Sequence, residues 1–386
     1  MINRPDYIAA IEPFIDKPLV KILAGIRRCG KSTIFEMLRE ELLRRGIGED
    51  QIVCKRYTEM DIPENITAKQ MYDELTAAMA GKGHCYLLLD EIQEITGWEK
   101  AVNSLLESAD ADIYVTGSNS KLMSSEISTY LTGRYVSIPV YTLSFKEYLD
   151  FKADSTLSRR ELLEEYIRFG GFPIIALSEY DEQSAYQIVN GIYHTVVSRD
   201  IVKRHRINKQ DLFDRVVKYI IENMGKTFSA NAISTFLKSE HRKVSVESIY
   251  NYLRWLEQAF IIYPCERYDL QGKSILKTQE KYYLADVSLK YALLGYNRKM
   301  LDGAMENIVY LELKRRGYDV YIGKNDTKEI DFVATRRDER IYVQVCVRIP
   351  EASDREVGNL MEIRDHYPKY VVTLNEMDTG IEDGIR

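Results

Sequence analysis

The sequence of 386 residues contains few cysteines and no long apolar run. Its five cysteines are odd in number, far apart and never in a Cys-x-x-Cys pair, which argues against a disulfide framework and against a zinc knuckle. No stretch approaches the roughly 18–20 uninterrupted apolar residues of a membrane span, and the first residues lack the apolar run of a signal peptide. These absences predict free thiols and a cytoplasmic protein without a membrane segment.

The chain also lacks an excess of positive charge. Its 53 lysines and arginines are outnumbered by 59 acidic residues, and the net charge of −6 argues against a protein that coats nucleic acid through bulk charge. The segment 199–243 is an exception, with eleven basic against five acidic residues and a local charge of +6, so the remainder carries −12. Such a segment is either a solvated helix face or a contact for a polyanion such as DNA.

Strand and helix patterns alternate in the first part of the chain. Short apolar runs predict buried strands at 20–24, 52–57, 85–89 and 113–116, and helical spacing predicts helices at 32–45, 67–79 and 98–108. Strands that alternate with helices predict an α/β fold with a parallel sheet covered on both faces. At about 100–200 residues per domain, the length predicts two or three domains.

From residue 144 onward the pattern is mainly helical and then mixed. Helices are predicted at 144–151, 158–169, 182–204, 210–224, 230–238 and 246–257. Two strand-like stretches follow, one on each side of Gln271-Gly272-Lys273, and the tail returns to a mixed α/β pattern. The chain shows no internal repeat and no low-complexity linker.

The first motif is a phosphate-binding loop, Gly-x-x-x-x-Gly-Lys-Ser. It consists of Gly25, Ile26, Arg27, Arg28, Cys29, Gly30, Lys31 and Ser32, with Thr33 directly after it. It follows a predicted strand and opens a predicted helix, which is the context that this motif needs. In such a loop backbone N–H groups cradle the phosphates, the lysine reaches the β- and γ-phosphates, and the serine hydroxyl ligates Mg²⁺. The motif predicts a site for ATP or ADP with Mg²⁺; the alternative is an ordinary glycine turn before a helix.

An apolar strand that ends in two carboxylates follows about 60 residues later. Asp90 is expected to hold Mg²⁺, and Glu91 is expected to polarise the attacking water. Strands often end in acidic residues, so this interpretation depends on the phosphate loop upstream. A second carboxylate placed for water favours hydrolysis over phosphotransfer to a small molecule.

Two further groups are candidates for contacts in the transition state. Asn119, or Ser118 or Thr116 beside it, follows a third strand and is expected to sense the γ-phosphate or orient the water, although a simple strand-to-loop transition explains the same residues. Arg134 is a candidate arginine finger that acts on a neighbouring subunit, and Arg199 is a rival candidate. Alternatively, Arg134 is a surface or ion-pair residue. A finger between subunits implies a homo-oligomer.

The segment 228–253 resembles a helix-turn-helix in which Ser245 caps the second helix. Strand-like residues around Ile262 and Tyr283 would form a wing. The basic residues just before and between these helices are Lys203, Arg204, Arg206, Lys209, Lys238, Arg242 and Lys243. They fit contacts to DNA phosphates, although winged helices also serve as protein-packing modules.

The tail is similar to the restriction-endonuclease-like fold. In that fold a helix glutamate, an aspartate and an acid-x-lysine pair on the next strand hold Mg²⁺ and activate water. Glu306 and Asp331 match the first two positions, but the last pair is Gln344 and Cys346 here. The missing carboxylate and lysine predict a retained scaffold that binds nucleic acid or a partner, rather than an active nuclease.

Taken in order, the motifs resemble those of prokaryotic AAA-type ATPases that carry an extra C-terminal domain of uncharacterised function. The resemblance covers essentially the whole chain, and the ATPase motifs are its most specific part. It implies an ASCE-type P-loop NTPase core at 1–143, a helical lid or linker at 144–224, a winged helix at 225–295 and a small, catalytically degenerate restriction-endonuclease-like domain at 296–386.

Together the motifs predict Mg²⁺-dependent ATP hydrolysis that moves a DNA-associated winged-helix and nuclease-like module. A second hypothesis is a nucleotide-gated signalling or scaffold protein that acts on a protein partner. A third, an active ATP-dependent nuclease, has the missing carboxylate and lysine against it. The biological process, the partner and the oligomeric state stay open at this point.

Overall fold

The computed structural model describes residues 3–58, 63, 66–123, 125–207, 209–227, 229–239, 244–272, 274–297, 300–349, 355–375, 378–381 and 384–386. The chain divides into two units. The N-terminal unit comprises Met1–Ala153, Phe172–Ile174 and Gln258–Phe260, and the C-terminal unit comprises Asp154–Gly171, Ile175–Glu257 and Ile261–Arg386.

The first part of the chain alternates helices and strands, as the sequence predicts. Its elements are α1 (Pro5–Ile11), β1 (Val20–Ala24), α2 (Lys31–Arg44), β2 (Ile52–Arg56), α3 (Ala68–Met79), β3 (Cys85–Asp90), α4 (Trp98–Ser108), β4 (Ala111–Gly117), α5 (Ser125–Tyr130), β5 (Tyr135–Pro139) and α6 (Phe145–Phe151).

The five strands form a parallel sheet in the order β2-β3-β4-β1-β5. Every residue of β1 and β3 is buried, as expected for strands covered on both faces. This finding confirms the predicted α/β fold with a parallel sheet. The sequence analysis does not identify β5, because this edge strand is mostly half-buried and lacks a continuous apolar run.

The strand order determines which loops meet. Because β4 lies between β1 and β3, the carboxyl ends of these three strands lie side by side. The phosphate loop, the acidic pair and the polar segment 118–119 follow these three ends. Open parallel sheets bind ligands outside the carboxyl ends of their strands, so this edge is where a ligand is expected.

After residue 153 the chain is first helical and then mixed. The elements are α7 (Arg159–Phe169), α8 (Pro173–Ala176), α9 (Glu182–Val196), a π-helical turn (Val197–Val202), α10 (Lys203–His205), α11 (Gln210–Glu222), α12 (Ala230–Ser239), α13 (Val246–Gln258), β6 (Ile262–Asp269), β7 (Ser274–Leu284), α14 (Ser288–Leu294), α15 (Leu301–Arg315), β8 (Asp319–Asn325), β9 (Lys328–Arg336), β10 (Glu339–Cys346), α16 (Arg355–Met361) and β11 (Lys369–Thr373). The helix predicted at 182–204 is present, interrupted by the π-helical turn.

The C-terminal unit contains a six-stranded sheet in the order β11-β10-β9-β8-β6-β7. The strands predicted as a wing, β6 and β7, pair with each other, and β6 also pairs in parallel with β8. Wing strands and tail strands therefore share one sheet, which crosses the predicted boundary at 295. The boundary between the two units differs from the predicted boundary at 143. Helix α6, which lies in the predicted lid or linker at 144–224, belongs to the N-terminal unit.

The cysteines agree with the sequence analysis, because all five are free thiols. Within the described ranges, no helix combines the length and the apolar character that crossing a bilayer requires.

Candidate nucleotide-binding site

The loop from Gly25 to Ser32 connects β1 to α2 and depends on glycine at two positions. Gly30 has a φ of +102°, a conformation that favours glycine. A Cβ atom on Gly25 would lie 1.9 Å from the carbonyl oxygen of Val140, so the strand end can approach the backbone of residue 140 only without a side chain. These constraints hold the loop in a tight turn at the end of β1.

Lys31 is the first residue of α2 and is 4% exposed. Its ammonium group donates hydrogen bonds to the carbonyl oxygens of Gly25 (2.8 Å) and Ile26 (3.1 Å). Ser32 and Thr33 follow in the same first helical turn, whose backbone N–H groups have no partner within the helix. The buried cation and this helix start together provide an environment that favours a bound anion.

Ser32 and Asp90 meet across the strand ends. The Ser32 hydroxyl donates a hydrogen bond of 2.7 Å to Oδ2 of Asp90, and the Thr116 hydroxyl donates to Oδ1. Arg56, which the motifs do not identify, places its Nε atom 3.1 Å from Oδ2.

A hydroxyl and a carboxylate are oxygen ligands of the kind that Mg²⁺ prefers. In the described part of the chain, no group of three or more His, Cys, Asp or Glu side chains could hold a metal ion. The oxygen donors of Ser32 and Asp90 fit Mg²⁺, whose other ligands would come from bound phosphates and water.

Glu91 leaves the strand in a left-handed conformation, with a φ of +56°. Its backbone N–H donates to the Thr116 hydroxyl oxygen at 3.0 Å. Its Oε2 atom accepts hydrogen bonds from the Ser118 hydroxyl at 3.1 Å and from the Gln93 amide. The turn thus fixes the carboxylate at the edge of the sheet, beside the phosphate loop.

Two cations of the phosphate loop lie near Glu91. The Oε1 atom of Glu91 is 3.8 Å from Nζ of Lys31, and Oε2 is 3.4 Å from the guanidinium of Arg27. Burial alone would raise the pKa of Glu91, but these cations and its two side-chain hydrogen bonds outweigh burial and lower the pKa. Glu91 is therefore an ionised carboxylate at neutral pH.

Among the three polar residues proposed to sense phosphate, Thr116 and Ser118 contact the acidic pair directly. Asn119 is buried, and its Oδ1 atom accepts a hydrogen bond of 2.9 Å from the backbone N–H of Lys121. Asn119 thus caps the turn that follows β4.

The two candidate arginine fingers belong to different units of the chain, Arg134 to the N-terminal and Arg199 to the C-terminal unit. Arg134 lies at the amino end of β5, where its carbonyl accepts a hydrogen bond from Val20 and its guanidinium pairs with Glu107 at 2.7 Å. The phosphate loop follows the carboxyl end of β1, about 16 Å away along a five-residue strand. Arg134 therefore does not join the site of its own chain. Arg199 is an exposed residue of the π-helical turn in the C-terminal unit.

Sequence reasoning missed a buried arginine that supports the loop. Arg4 is 2% exposed and donates to the Cys29 carbonyl oxygen at 2.8 Å and to both carboxylate oxygens of Glu147 at 2.7 and 3.1 Å. Glu147 also accepts from the backbone N–H of Ser144, in a capping box that starts α6. The Ser-x-x-Glu spacing predicts that helix start, whereas no spacing predicts the contact with Arg4.

The tail residues with predicted metal roles lie in a buried ion-pair network. Gln344 accepts a hydrogen bond from the backbone N–H of Asp331 at 3.2 Å. The ammonium group of Lys281, from β7, lies 2.8 Å from Glu329 and 3.5 Å from Glu306. Burial would lower the pKa of Lys281, but the surrounding carboxylates outweigh it and raise that pKa. The sequence analysis did not connect this lysine with the tail because it belongs to the segment interpreted as a wing.

Comparisons with known proteins cover the whole chain. Residues 17–149 match the family model described as AAA domain, and residues 160–299 match a domain of unknown function (DUF8612). An uncharacterised protein of Haemophilus influenzae is 37% identical over 388 residues, which cover 100% of this chain and 96% of that protein. An uncharacterised protein of Methanocaldococcus jannaschii is 32% identical over 354 residues, which cover 88% of this chain and 77% of that protein.

A solved structure resembles the fold. The Walker-type ATPase of Pyrococcus abyssi superimposes with a TM-score of 0.54 and 16% identity, over 76% of this chain and 96% of its own. At this identity the likeness concerns the fold alone. The chain belongs to the same protein family as its two relatives from Haemophilus and Methanocaldococcus, and its N-terminal third is an AAA domain of the P-loop ATPase type.

Proposed function

We propose that the protein binds ATP with Mg²⁺ and hydrolyses it to ADP and phosphate. The observation that carries the proposal is the meeting of four motif residues at one sheet edge. Ser32 donates to Asp90 at 2.7 Å, and Glu91, the next residue, lies 3.8 Å from the ammonium group of Lys31. A phosphate loop, a metal-binding carboxylate and an ionised base are the parts that hydrolysis requires.

Each side chain has a defined task in this reaction. The loop backbone and Lys31 bind the phosphates and neutralise their charge. Ionised Glu91 accepts a proton from the attacking water, and Ser118 and Thr116 hold its carboxylate and backbone in place. Ser32 and Asp90 would hold Mg²⁺, which neutralises charge on the β- and γ-phosphates when it is bound.

Phosphate release from Mg-ATP tests this function. We expect Lys31→Ala to abolish turnover through lost nucleotide binding, and Glu91→Gln to bind ATP but to hydrolyse it at least about 100-fold more slowly, the usual range for a general base. Glu40→Gln, which changes an exposed carboxylate on α2, is the matched control and should keep the wild-type rate. Wild-type turnover by the Lys31→Ala protein would contradict the proposal.

A homo-oligomer is part of the proposal, because Arg134 can act as a finger only on a neighbouring subunit. Light-scattering mass with ATP and with ADP measures assembly. Arg134→Ala should then reduce turnover in the assembled protein only, while an Arg134→Ala protein with full activity would leave this residue as the ion-pair partner of Glu107.

A second candidate function is DNA association through the basic segment 199–243. Four of its cations, Lys203, Arg204, Arg206 and Lys209, are exposed on or next to the short helix α10. The Ser245 hydroxyl accepts the hydrogen bond of the Ser248 N–H at the start of α13, which agrees with the cap predicted for a helix-turn-helix. Exposed, closely spaced cations next to such helices favour contacts to DNA phosphates over a purely structural role.

Fluorescence anisotropy with double- and single-stranded DNA at low salt tests this second function. We expect reversal of Lys203 and Arg204 to glutamate to weaken binding and to flatten its salt dependence. The exposed pair Arg159 and Arg160 on α7, reversed in the same way, is the control. Unchanged DNA affinity in the 203/204 variant, with ATP turnover indifferent to DNA, would favour the alternative of a signalling or scaffold protein that acts on a protein partner. Arg242 and Lys243, which the sequence analysis includes among these cations, lie outside the described residues.

For the tail we propose a scaffold role without nucleic-acid cleavage. Lys281 already pairs with the carboxylates of Glu306 and Glu329, and Gln344 stands where a metal-binding carboxylate is expected. Nicking of a supercoiled plasmid with Mg²⁺ or Mn²⁺ tests this proposal. Cleavage that is lost in Asp331→Ala would contradict it.

A further inference from the structure

Two adjacent arginines occupy the middle of the phosphate loop, and their surroundings differ. Arg28 is exposed and has a φ of +65°. Arg27 is 9% exposed, and its guanidinium lies 3.4 Å from Oε2 of Glu91 and 3.2 Å from Oε1 of Glu94. Arg27 thus connects the phosphate loop to the acidic segment after β3.

The position of Arg27 relative to Glu91 indicates which part of a nucleotide it would meet. Under the proposed function, Glu91 acts on the water that attacks the terminal phosphate, so the space beside its carboxylate is where that phosphate arrives. A guanidinium that touches Glu91 can reach a group in this space by a side-chain movement. ADP ends before it.

A terminal phosphate would compete with the two carboxylates for Arg27. A phosphate offers more negative charge than a carboxylate and accepts paired hydrogen bonds from the planar guanidinium. The carboxylates do not hold Arg27 with ideal geometry, because the contacts of 3.4 and 3.2 Å are longer than the 2.7–2.9 Å typical of strong charged hydrogen bonds. An exchange of partners is therefore favourable when a triphosphate is present.

We propose that Arg27 distinguishes nucleoside triphosphates from diphosphates by binding the terminal phosphate in exchange for Glu91 and Glu94. This inference rests on the proposed ATPase function. Without a triphosphate, Arg27 restrains Glu91, whose Oε2 atom also accepts from Ser118 and Gln93. When the triphosphate binds, the carboxylate loses this restraint and can accept a proton from water.

Calorimetric titration with Mg²⁺ and either a non-hydrolysable triphosphate, AMP-PNP, or ADP measures this preference. We expect Arg27→Met to weaken AMP-PNP binding about 10- to 100-fold, as for lost hydrogen bonds to a charged group, while ADP binding changes less than about twofold. Arg27→Lys keeps the charge but not the planar pair of donors and should recover part of the preference. Arg39→Met, which breaks the surface pair with Glu49, should keep the full preference for AMP-PNP.

Glu94→Gln tests the exchange itself. Because this substitution removes a carboxylate that contacts Arg27, we expect it to tighten AMP-PNP binding by about twofold to fivefold, the range for a partly exposed ion pair. The gain should vanish in the Arg27→Met background. A gain that persists there would show that Glu94 acts without Arg27 and would overturn the exchange.

The AMP-PNP and ADP affinities of the Arg27→Met protein decide between this inference and a purely structural arginine. Equal losses of AMP-PNP and ADP affinity in the folded variant would overturn the inference and leave the ATPase standing. A wild-type protein that binds neither nucleotide would overturn the proposed function together with it.

Discussion

The guanidinium of Arg56, at the end of β2, lies 3.1 Å from Oδ2 of Asp90, the same oxygen that accepts the Ser32 hydroxyl. This oxygen belongs to the proposed metal site, so Arg56 and Mg²⁺ are expected to compete for it. We predict that Arg56→Ala lowers the Mg²⁺ concentration for half-maximal turnover about twofold to fivefold, since the arginine is 43% exposed and its pair with Asp90 is partly screened. A titration of free Mg²⁺ at saturating ATP measures this. Arg45→Ala, at a surface pair with Glu12, is the control.

Gly25 is expected to tolerate no side chain. The added Cβ of Gly25→Ala would lie 1.9 Å from the Val140 carbonyl oxygen, so backbone must move and the free energy of unfolding should fall by about 1–3 kcal/mol. Gly191→Ala is the control, because this glycine lies inside α9 with nothing within 4 Å and its replacement should stabilise by up to about 1 kcal/mol. Urea unfolding of both variants measures the difference. Equal stability of the two would show that β1 can shift freely at residue 25.

Variants of Arg4 and Glu147 should show that the stability of the protein and its affinity for ADP depend on different contacts of Arg4. Arg4→Met leaves the Glu147 carboxylate buried without its cation, and we expect a loss of about 3–5 kcal/mol in the free energy of unfolding. The double variant Arg4→Met/Glu147→Gln removes that charge and should recover much of the stability. It should not recover ADP affinity, because the hydrogen bond to the Cys29 carbonyl is still missing. Full recovery of ADP affinity would show that Arg4 acts only through Glu147.

Replacement of Lys281 is expected to destabilise the C-terminal sheet, because it leaves carboxylates without their cation. The substitution Lys281→Met leaves Glu306 and Glu329 without their buried cation, so we predict a loss of about 3–5 kcal/mol, measured by amide hydrogen exchange across β7 and α15. Lys328→Met breaks an exposed pair with Glu362 and should cost less than about 1 kcal/mol.

The same lysine gives a pH dependence with a defined sign. Because its pKa is raised in the folded protein, the stabilisation by Lys281 is complete below the ordinary lysine value of about 10.4 and is lost as pH rises through the folded value. The stability difference between wild type and Lys281→Met should therefore not shrink from pH 7 to pH 9. A difference that shrinks within this range would contradict the charge assigned to Lys281.

The parallel sheet and the residues that meet at its edge could be predicted because each motif directly follows a strand. A phosphate loop after β1 and a carboxylate pair after β3 leave sequence signals of strand, turn and charge. Parallel strands then carry Ser32, Asp90 and Glu91 to the same edge. At this edge the residues that form the local motifs are the same residues that the fold brings together. The motifs alone therefore predict the site.

Long side chains that arrive from elsewhere could not be predicted. Arg4 and Arg56 reach the site from α1's start and from the end of β2, and no spacing links either residue to a motif. Lys281 lies on β7, which pairs with β6, and β6 pairs in turn with β8, which comes later in the chain. Pairing between distant strands leaves no signal in the local sequence. For this reason the sequence analysis interpreted β6 and β7 as a separate wing.

The parallel pairing of β6 with β8 limits where the chain can be cut. The match to the domain of unknown function ends at residue 299, after β6 and β7 but before β8. A fragment that stops there would expose the backbone groups of Arg267, Tyr268 and Asp269 along an open strand edge. Such edges pair with other chains and aggregate. We therefore expect a fragment that ends at residue 299 to aggregate, and a fragment that extends through β8 and its neighbouring strands to be more soluble.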